Sequence, residues 1–174
     1  RQMLYTGYQH PGPAAIRYPR GTGPGTPIQT KMQALTIGKA SYCRHGQDIA
    51  ILAFGSMLTP ALAAGEALNA TVVNMRFIKP LDLDLIQQVA SQHSLVVIIE
   101  ENSIIGGVGS SISYTIQQSP YAPATLILGL PDRFIAHGNQ QAMLSELQLD
   151  SAGIIAQIKH KLTANATAES ATVA

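Results

Sequence analysis

The chain has 174 residues, of which 46% are hydrophobic and 12% are charged, with 11 Lys and Arg against 10 Asp and Glu. That length fits one ordinary domain with part of another, and the hydrophobic content is sufficient for a packed core. The sparse, balanced charge argues against a nucleic-acid surface, which needs clustered Lys and Arg, and no run approaches the roughly 18 apolar residues of a membrane span.

The first 37 residues contain little that could form a core. Residues 1–10 have the pattern of a helix end, and 14–18 form a short strand candidate that Pro19 closes, because proline removes a hydrogen-bond donor from a strand. Residues 21–37 shift to Gly, Pro and Thr, which predicts an extended linker. The N-terminus shows neither a signal-peptide pattern nor an initiator Met, so we expect the chain to begin inside a longer protein.

Residues 38–163 alternate between strand and helix patterns. The alternating residues 38–44, a turn at 45–48 and the apolar run 49–54 predict an antiparallel pair with a more buried second strand. Further strands are predicted at 71–75, 95–99 and 124–128, and helices at 60–69, 82–93, from the glycine turn to about 119, at 140–147 and at 151–163. Helices of this length between strands favour a mostly parallel sheet between two helix layers. Residues 164–174 lack periodicity and are predicted to be a disordered tail.

The segment LVVIIEENSIIGGVGSS, residues 95–111, combines a buried strand, an acidic strand end, a glycine turn and a helix start. Sites in open α/β sheets tend to lie at such strand ends, and a helix start of this kind can bind phosphate. The spacing of Gly106, Gly107 and Gly109 is not that of GxGxxG, so a nucleotide-binding domain is the weaker alternative. Glu100 and Glu101 point in opposite directions and cannot form a facing acid–base pair; the favoured role for one of them is a loop anchor.

The other reactive side chains show no spacing that predicts a catalytic or metal site. Five histidines lie far apart, without HxxxH or HxH spacing, so no metal site is predicted. Cys43 is the single cysteine, which excludes an internal disulfide and fits a reducing compartment. Ser56 follows a strand but lacks both glycines of a GxSxG nucleophile elbow, which favours a turn and cap residue.

Two arginines close to each other are more informative. Arg17 and Arg20 flank Tyr18 and Pro19 at the end of the predicted strand 14–18, immediately before the glycines of the linker. Two guanidinium groups there could clamp a phosphate or a carboxylate through parallel hydrogen bonds. They could equally be surface charges at a domain edge, and the spacing alone does not decide between the two.

Four stretches in order carry a resemblance: RQMLYTGYQHPGPAAIRYPRGTGPG, VVNMRFIKPLDLDLI, EENSIIGGVGSSI and LGLPDRFIAHG. Together they resemble the 1-deoxy-D-xylulose-5-phosphate synthase family, thiamine-diphosphate enzymes related to transketolase, in register from Arg1 to about Leu162. The resemblance implies that 1–20 ends a pyrimidine-binding domain and that 21–37 is the linker. It further implies that 38–163 is a three-layer α/β/α domain like the C-terminal domain of transketolase, with a five-stranded, mostly parallel sheet whose first strand is antiparallel.

For the complete protein the resemblance implies a cytoplasmic, homodimeric transferase with thiamine diphosphate and Mg²⁺ as cofactors. Such an enzyme condenses pyruvate with D-glyceraldehyde 3-phosphate with loss of CO2, and its product feeds isoprenoid and thiamine biosynthesis. The second arginine of the family's RYPRG motif contributes to the site for the acceptor's phosphate, and that position is Arg20.

The family's GDG motif for Mg²⁺, its cofactor-activating Glu and its catalytic histidines have no counterpart in this sequence. No catalytic, cofactor-binding or metal-binding residue is therefore expected on this chain, which is predicted to be inactive alone. A stand-alone structural or dimerisation module is the alternative, and an independent nucleotide-binding domain is the weaker one.

Overall fold

A computed structural model describes residues 1–19, 23 and 25–172, with the side chains of 168–172 excepted. Five strands are present in these residues: β1 (Ser41–Arg44), β2 (Ile49–Ala53), β3 (Thr71–Asn74), β4 (Leu95–Ser103) and β5 (Ala124–Leu130). The helices are α1 (Gln2–Gln9), α2 (Leu58–Leu68), α3 (Leu83–Gln92), α4 (Val108–Gln117), α5 (Gln140–Glu146) and α6 (Ser151–Thr172), and a 3-10 turn at Gly55–Met57 precedes α2. No helix in the described part of the chain is long and apolar enough to cross a membrane.

The strands form one sheet in the order β1-β3-β2-β4-β5, in which β1 is antiparallel to β3 and the other neighbours are parallel. This confirms the predicted fold class, a mostly parallel five-stranded sheet with an antiparallel first strand and helices on both faces. The predicted pairing of the first two strands is wrong, because β3 lies between β1 and β2.

The turn between β1 and β2 crosses the start of β3, which explains the altered pairing. Gly46 donates its N–H to the Thr71 hydroxyl at 3.0 Å, and Gln47 donates its N–H to the Asn69 carbonyl at 2.8 Å. A Cβ added at Gly46 would lie 2.2 Å from the Asn69 carbonyl oxygen. The crossing therefore requires a residue without a side chain at position 46.

We expect Gly46→Ala to lower the free energy of unfolding by about 2 kcal/mol, because the added methyl group meets backbone atoms that cannot turn aside. Urea unfolding of this chain measures the change. Gly23→Ala is the control, since nothing lies within 4 Å of a Cβ built there. Equal stability of the two variants would contradict the tight crossing.

The apolar runs predicted to be strands are buried on both faces of the sheet. All five residues of β2 are buried, and alternate residues contribute to opposite cores. One core lies between the sheet and helices α2 and α6, with Ile51, Val97, Ala61, Ile154 and Ile158 among its members. The other lies between the sheet and helices α3 and α4, with Leu52, Val96, Ile86, Val89, Ile112 and Ile116. Because helices cover both faces of the sheet, the surfaces left for other roles are the two sides at which its strands begin and end.

The ends of the chain differ from expectation. Residues 14–18 form no strand but an irregular segment, in which Ile16 packs against Gly7 of α1. Helix α6 continues to Thr172, whereas the sequence predicts a disordered tail from residue 164. The alanines of that tail have the highest intrinsic helix propensity, and they extend a helix whose first turns are already packed on the sheet.

Asp82 joins the start of α3 to the residues that lead into β1. Its carboxylate, 5% exposed, accepts the N–H of Ala40 at 2.9 Å, the ammonium of Lys39 at 3.0 Å and the N–H of Leu85 at 3.4 Å. Burial alone would raise the pKa of Asp82, but these hydrogen bonds and the nearby Lys39 charge outweigh burial and lower that pKa below its ordinary value. The predicted cap of α3 is confirmed, and the carboxylate also fixes the entry of the chain into the domain.

Because the pKa of Asp82 is lower in the folded state than in the unfolded state, its stabilising contribution is complete above the unfolded value, about 3.9. It is lost as the pH falls through the folded value. We expect Asp82→Asn to reduce the free energy of unfolding by about 1–2 kcal/mol at pH 7, with the difference from the unmodified chain shrinking below about pH 4.

Denaturant titrations between pH 3 and 7 measure this difference. Asp84→Asn is the matched control, because the Asp84 side chain pairs with the same lysine but is 90% exposed; we expect a change within about 0.5 kcal/mol. A deficit for Asp82→Asn that stayed constant down to pH 3 would contradict the assigned role of the charge.

Candidate functional site

The sheet has one switch point, between β2 and β4, because the chain leaves β2 toward β3 on one side and later returns to its other side as β4. Crevices at the carboxyl ends of strands flanking such a point are the usual sites of open α/β sheets. Here the Ser56 hydroxyl, after β2, donates a hydrogen bond to the Glu101 carboxylate at the end of β4. Gln140, the first residue of α5, donates to the other carboxylate oxygen at 3.1 Å. These two hydrogen bonds join the residues after β2, the end of β4 and the start of α5 across the switch point. We call Ser56, Glu101 and Gln140 the polar brace.

Sequence reasoning missed this brace, because its members are 45 and 39 residues apart in the chain. The available signal was that polar residues follow two buried strands whose carboxyl ends meet. Ser56 lies in the 3-10 turn Gly55–Met57, as predicted. It caps neither that turn nor α2, because its hydroxyl donates to the Glu101 carboxylate instead. In the described part of the chain, no three His, Cys, Asp or Glu residues lie close enough together to hold a metal ion.

The neighbouring carboxylate, Glu100, points to the opposite face and binds the start of α4. It is 3% exposed and accepts the N–H of Val108 at 3.1 Å and the N–H of Gly109 at 2.8 Å. A Cβ added at Gly107 would lie 2.4 Å from its Oε1 atom, so the glycine lets the carboxylate reach the helix. The expectation that one of the two glutamates anchors the loop is confirmed.

This contact also decides what the glycine turn can bind. The N–H groups at a helix start are the ones that would hold a phosphate, and the buried carboxylate of Glu100 already accepts two of them. A phosphate entering there would meet a negative charge instead of free donors. The geometry therefore argues against the nucleotide-binding alternative for Gly106–Ser111.

The predicted substrate contact, Arg20, lies outside the described residues, so its surroundings remain a prediction. Its neighbours in the RYPRG motif are described: Arg17 and Tyr18 are both exposed, Tyr18 at 77%. They lie in the irregular segment that follows α1. The structure thus presents the beginning of the motif at the surface and does not pack it into the domain formed by 38–163.

On the opposite side from the switch-point crevice, where the parallel strands begin, a cavity of about 330 Å³ opens between β1 and the end of α3. The Tyr42 ring stacks on His45 with ring centroids 4.8 Å apart. The ring of His93 lies 2.9 Å from both the Val89 carbonyl and the Thr71 hydroxyl. Other lining side chains are Gln47, Gln88, Gln92 and Asp48. These groups can hydrogen-bond a small polar molecule. The Thr71 hydroxyl and the His93 ring are hydrogen-bonded to each other, but Thr71 is 2% exposed and its hydroxyl also accepts the N–H of Gly46, so the pair stabilises the turn and is not available to a substrate.

The geometry alone does not identify the protein family, but comparison with known proteins does. Residues 38–154 match the family model described as transketolase, C-terminal domain. A 1-deoxy-D-xylulose-5-phosphate synthase of Methylobacillus flagellatus is 56% identical to the chain over 163 residues, and one of Nitrosomonas europaea is 53% identical over 163 residues. Each alignment covers 94% of this chain but 26% of the relative, so the chain spans about a quarter of the length of these relatives.

A solved structure described as "Split gene transketolase, inactive beta4 tetramer" superposes with a TM-score of 0.69 at 30% identity. The superposition covers 75% of this chain and 44% of that chain.

Proposed function

This chain belongs to the transketolase family through its C-terminal domain, and from that premise we propose that its parent protein is a 1-deoxy-D-xylulose-5-phosphate synthase. The observation that carries the proposal is the 56% identity to such an enzyme over 94% of the chain. An alignment of that extent includes most of the residues before position 38 as well as the family domain. The chain then supplies the C-terminal quarter of the enzyme.

On this proposal the parent condenses pyruvate with D-glyceraldehyde 3-phosphate and releases CO2, and it is a cytoplasmic transferase. Thiamine diphosphate, with Mg²⁺ on its diphosphate, supplies the electron sink for such chemistry when bound. Two observations support a location outside the described residues for both groups: Glu100 already occupies the glycine turn, and no three metal-ligating side chains lie together among the described residues. We place both cofactors on the part of the parent that precedes this chain.

The direct contribution of the chain to the reaction is then an anion contact by Arg20. The acceptor aldehyde carries a phosphate far from its reacting carbon, and a guanidinium group can hold such a phosphate through two parallel, charge-assisted hydrogen bonds. Binding at the distant phosphate orients the aldehyde for attack without chemical participation by the arginine. The position of Arg20 in RYPRG, beside the exposed Arg17 and Tyr18, supports this role.

The test is activity of the complete parent compared with the isolated chain. We expect the parent to release CO2 from pyruvate and to form 1-deoxy-D-xylulose 5-phosphate when D-glyceraldehyde 3-phosphate is added, and the isolated chain to do neither. Calorimetry of the isolated chain is expected to show no heat of thiamine diphosphate binding. A parent without this product would reject the proposed reaction, whereas a clear isotherm for the isolated chain would reject the assignment of the cofactor to the preceding part.

The second candidate function is a structural or dimerisation module, and the two are compatible. The structural neighbour at 30% identity is described as an inactive tetramer of β chains, so a chain of related fold assembles without activity. We propose that the parent is a homodimer to which this domain contributes packing surface. Sedimentation equilibrium of the isolated chain tests whether that surface is sufficient: a dimer supports the module, and a monomer at high concentration counts against it.

A further inference from the structure

Exposed apolar side chains in the family domain concentrate where the parallel strands end. Ile78 and Leu83 follow β3, Ile105 follows β4 and Phe134 follows β5, with exposed fractions of 48%, 52%, 70% and 105%. We call these four residues the carboxyl-edge patch. The other large apolar residues exposed in the described part of 38–163 are isolated on helices or at the opposite edge: Tyr114, Tyr121 and Leu162.

Single exposed apolar residues are ordinary on a protein surface, but a set on one edge marks an interaction surface. The outermost strands that carry the patch, β3 and β5, lie three positions apart in the sheet, which places the ends of these two strands about 14 Å from each other. Phe134 is the most exposed member, at the tip of the loop between β5 and α5. Its full exposure means that it contributes nothing to the core of this domain.

The charged residues around the patch indicate what kind of surface it contacts. Lys79 follows Ile78, and Arg133 precedes Phe134; both are exposed, and neither has an ion pair within the described residues. Two exposed carboxylates are adjacent in sequence to these groups: Asp132 precedes Arg133, and Asp84 follows Leu83 but is already paired with Lys39, which leaves Lys79 and Arg133 as the unpaired charges among the described residues around the patch. An apolar surface with acidic groups at its rim is the complementary partner.

The chain enters the domain at this same edge. Strand β1 runs antiparallel to β3, so β1 begins where the parallel strands end. The preceding residues are fixed there, because Ala40 donates its N–H to Asp82 and a Cβ added at Gly38 would lie 2.9 Å from Pro80. The linker is therefore attached next to the patch. Through residues 1–37 it joins the preceding part of the parent to this domain, which raises the effective concentration of that part at the patch.

We propose that the carboxyl-edge patch is the docking surface for the part of the parent polypeptide that precedes Arg1, with Phe134, its most exposed residue, as the main anchor. The inference rests on the proposed function, which supplies a parent about four times longer than this chain. Docking at this edge would hold the preceding domain against the family domain, with the linker residues beside the interface.

The first test compares Phe134→Ser in this chain and in the complete parent. We expect no change in the melting temperature of this chain, because the side chain is fully exposed in it, and a lower melting temperature of the parent. Amide hydrogen exchange of residues 131–139 is expected to be at least tenfold slower in the parent than in this chain, and Phe134→Ser is expected to abolish that protection. Tyr121→Ser, an exposed aromatic at the opposite edge, is the control and should leave the protection unchanged.

The second test identifies the occupant. A photo-crosslinking phenylalanine analogue at position 134 of the parent should give crosslinked peptides within one polypeptide, joined to residues that precede Arg1. A crosslinked band of doubled mass would assign the patch to a second copy, and equal exchange rates in the two proteins would show it to be uncovered; either result overturns the proposal. CO2 release by the unmodified parent is measured separately, so a wrong reaction and a wrong docking surface give different results.

Discussion

Replacing Arg20 with alanine in the complete parent is expected to raise the KM for D-glyceraldehyde 3-phosphate about 10- to 150-fold. The expected loss corresponds to one charge-assisted contact, about 1.5–3 kcal/mol. The KM for pyruvate should stay within about twofold, because pyruvate carries no phosphate for the guanidinium group to hold. Steady-state kinetics with each substrate varied in turn separate the two constants.

Two matched variants make this result specific. Arg17→Ala removes the same charge from the same motif at an exposed position, and we expect it to change the acceptor KM less than threefold. Arg20→Lys keeps the charge but loses the bidentate fork, so it should recover part of the affinity. If Arg20→Ala left the acceptor KM unchanged, Arg20 would have no place in the substrate site.

The strands and helices of the domain were predictable because their signals are local. The runs at 49–54 and 95–99 contain only apolar residues, which identifies strands covered on both faces, and Asp82 is a side-chain cap at the predicted start of α3. The pairing of the first strand was not predictable in this way. It depends on the contact of Gly46 with the residues before β3, and nothing near Gly46 in sequence indicates that contact.

In the candidate site, too, local features were predictable from the sequence and contacts between distant segments were not. That one of the two adjacent glutamates anchors the glycine turn follows from the period of a strand and the needs of a helix start, and the structure places Glu100 there. The brace from Glu101 to Ser56 and Gln140 joins three distant segments, so only the folded sheet reveals it. The role of Arg20 came from resemblance to a family motif, because two nearby arginines alone fit a surface as well as a binding site.

Glu100→Ala is expected to have the largest effect on stability, lowering the free energy of unfolding of this chain by about 3 kcal/mol. Two backbone N–H groups at a buried helix start lose a charged acceptor, each worth about 1.5 kcal/mol, and the positive end of the α4 dipole loses its counter-charge. Glu100→Gln retains one acceptor oxygen and should lose about half as much. Urea unfolding at pH 7 provides the measurement.

Glu101→Ala is the control, since the same residue type one position along the strand is held only by side chains at the partly exposed brace; a loss of stability within about 1 kcal/mol is expected.

The two variants are also expected to respond differently to anions. Removing the carboxylate of Glu100 frees the N–H groups of Val108 and Gly109 for an anion, so millimolar phosphate should raise the stability of Glu100→Ala and leave that of Glu101→Ala unchanged. In the unmodified chain the Glu100 carboxylate already accepts these two N–H groups, so phosphate should not stabilise it. If phosphate stabilised the unmodified chain as much as Glu100→Ala, Glu100 would not occupy the helix start.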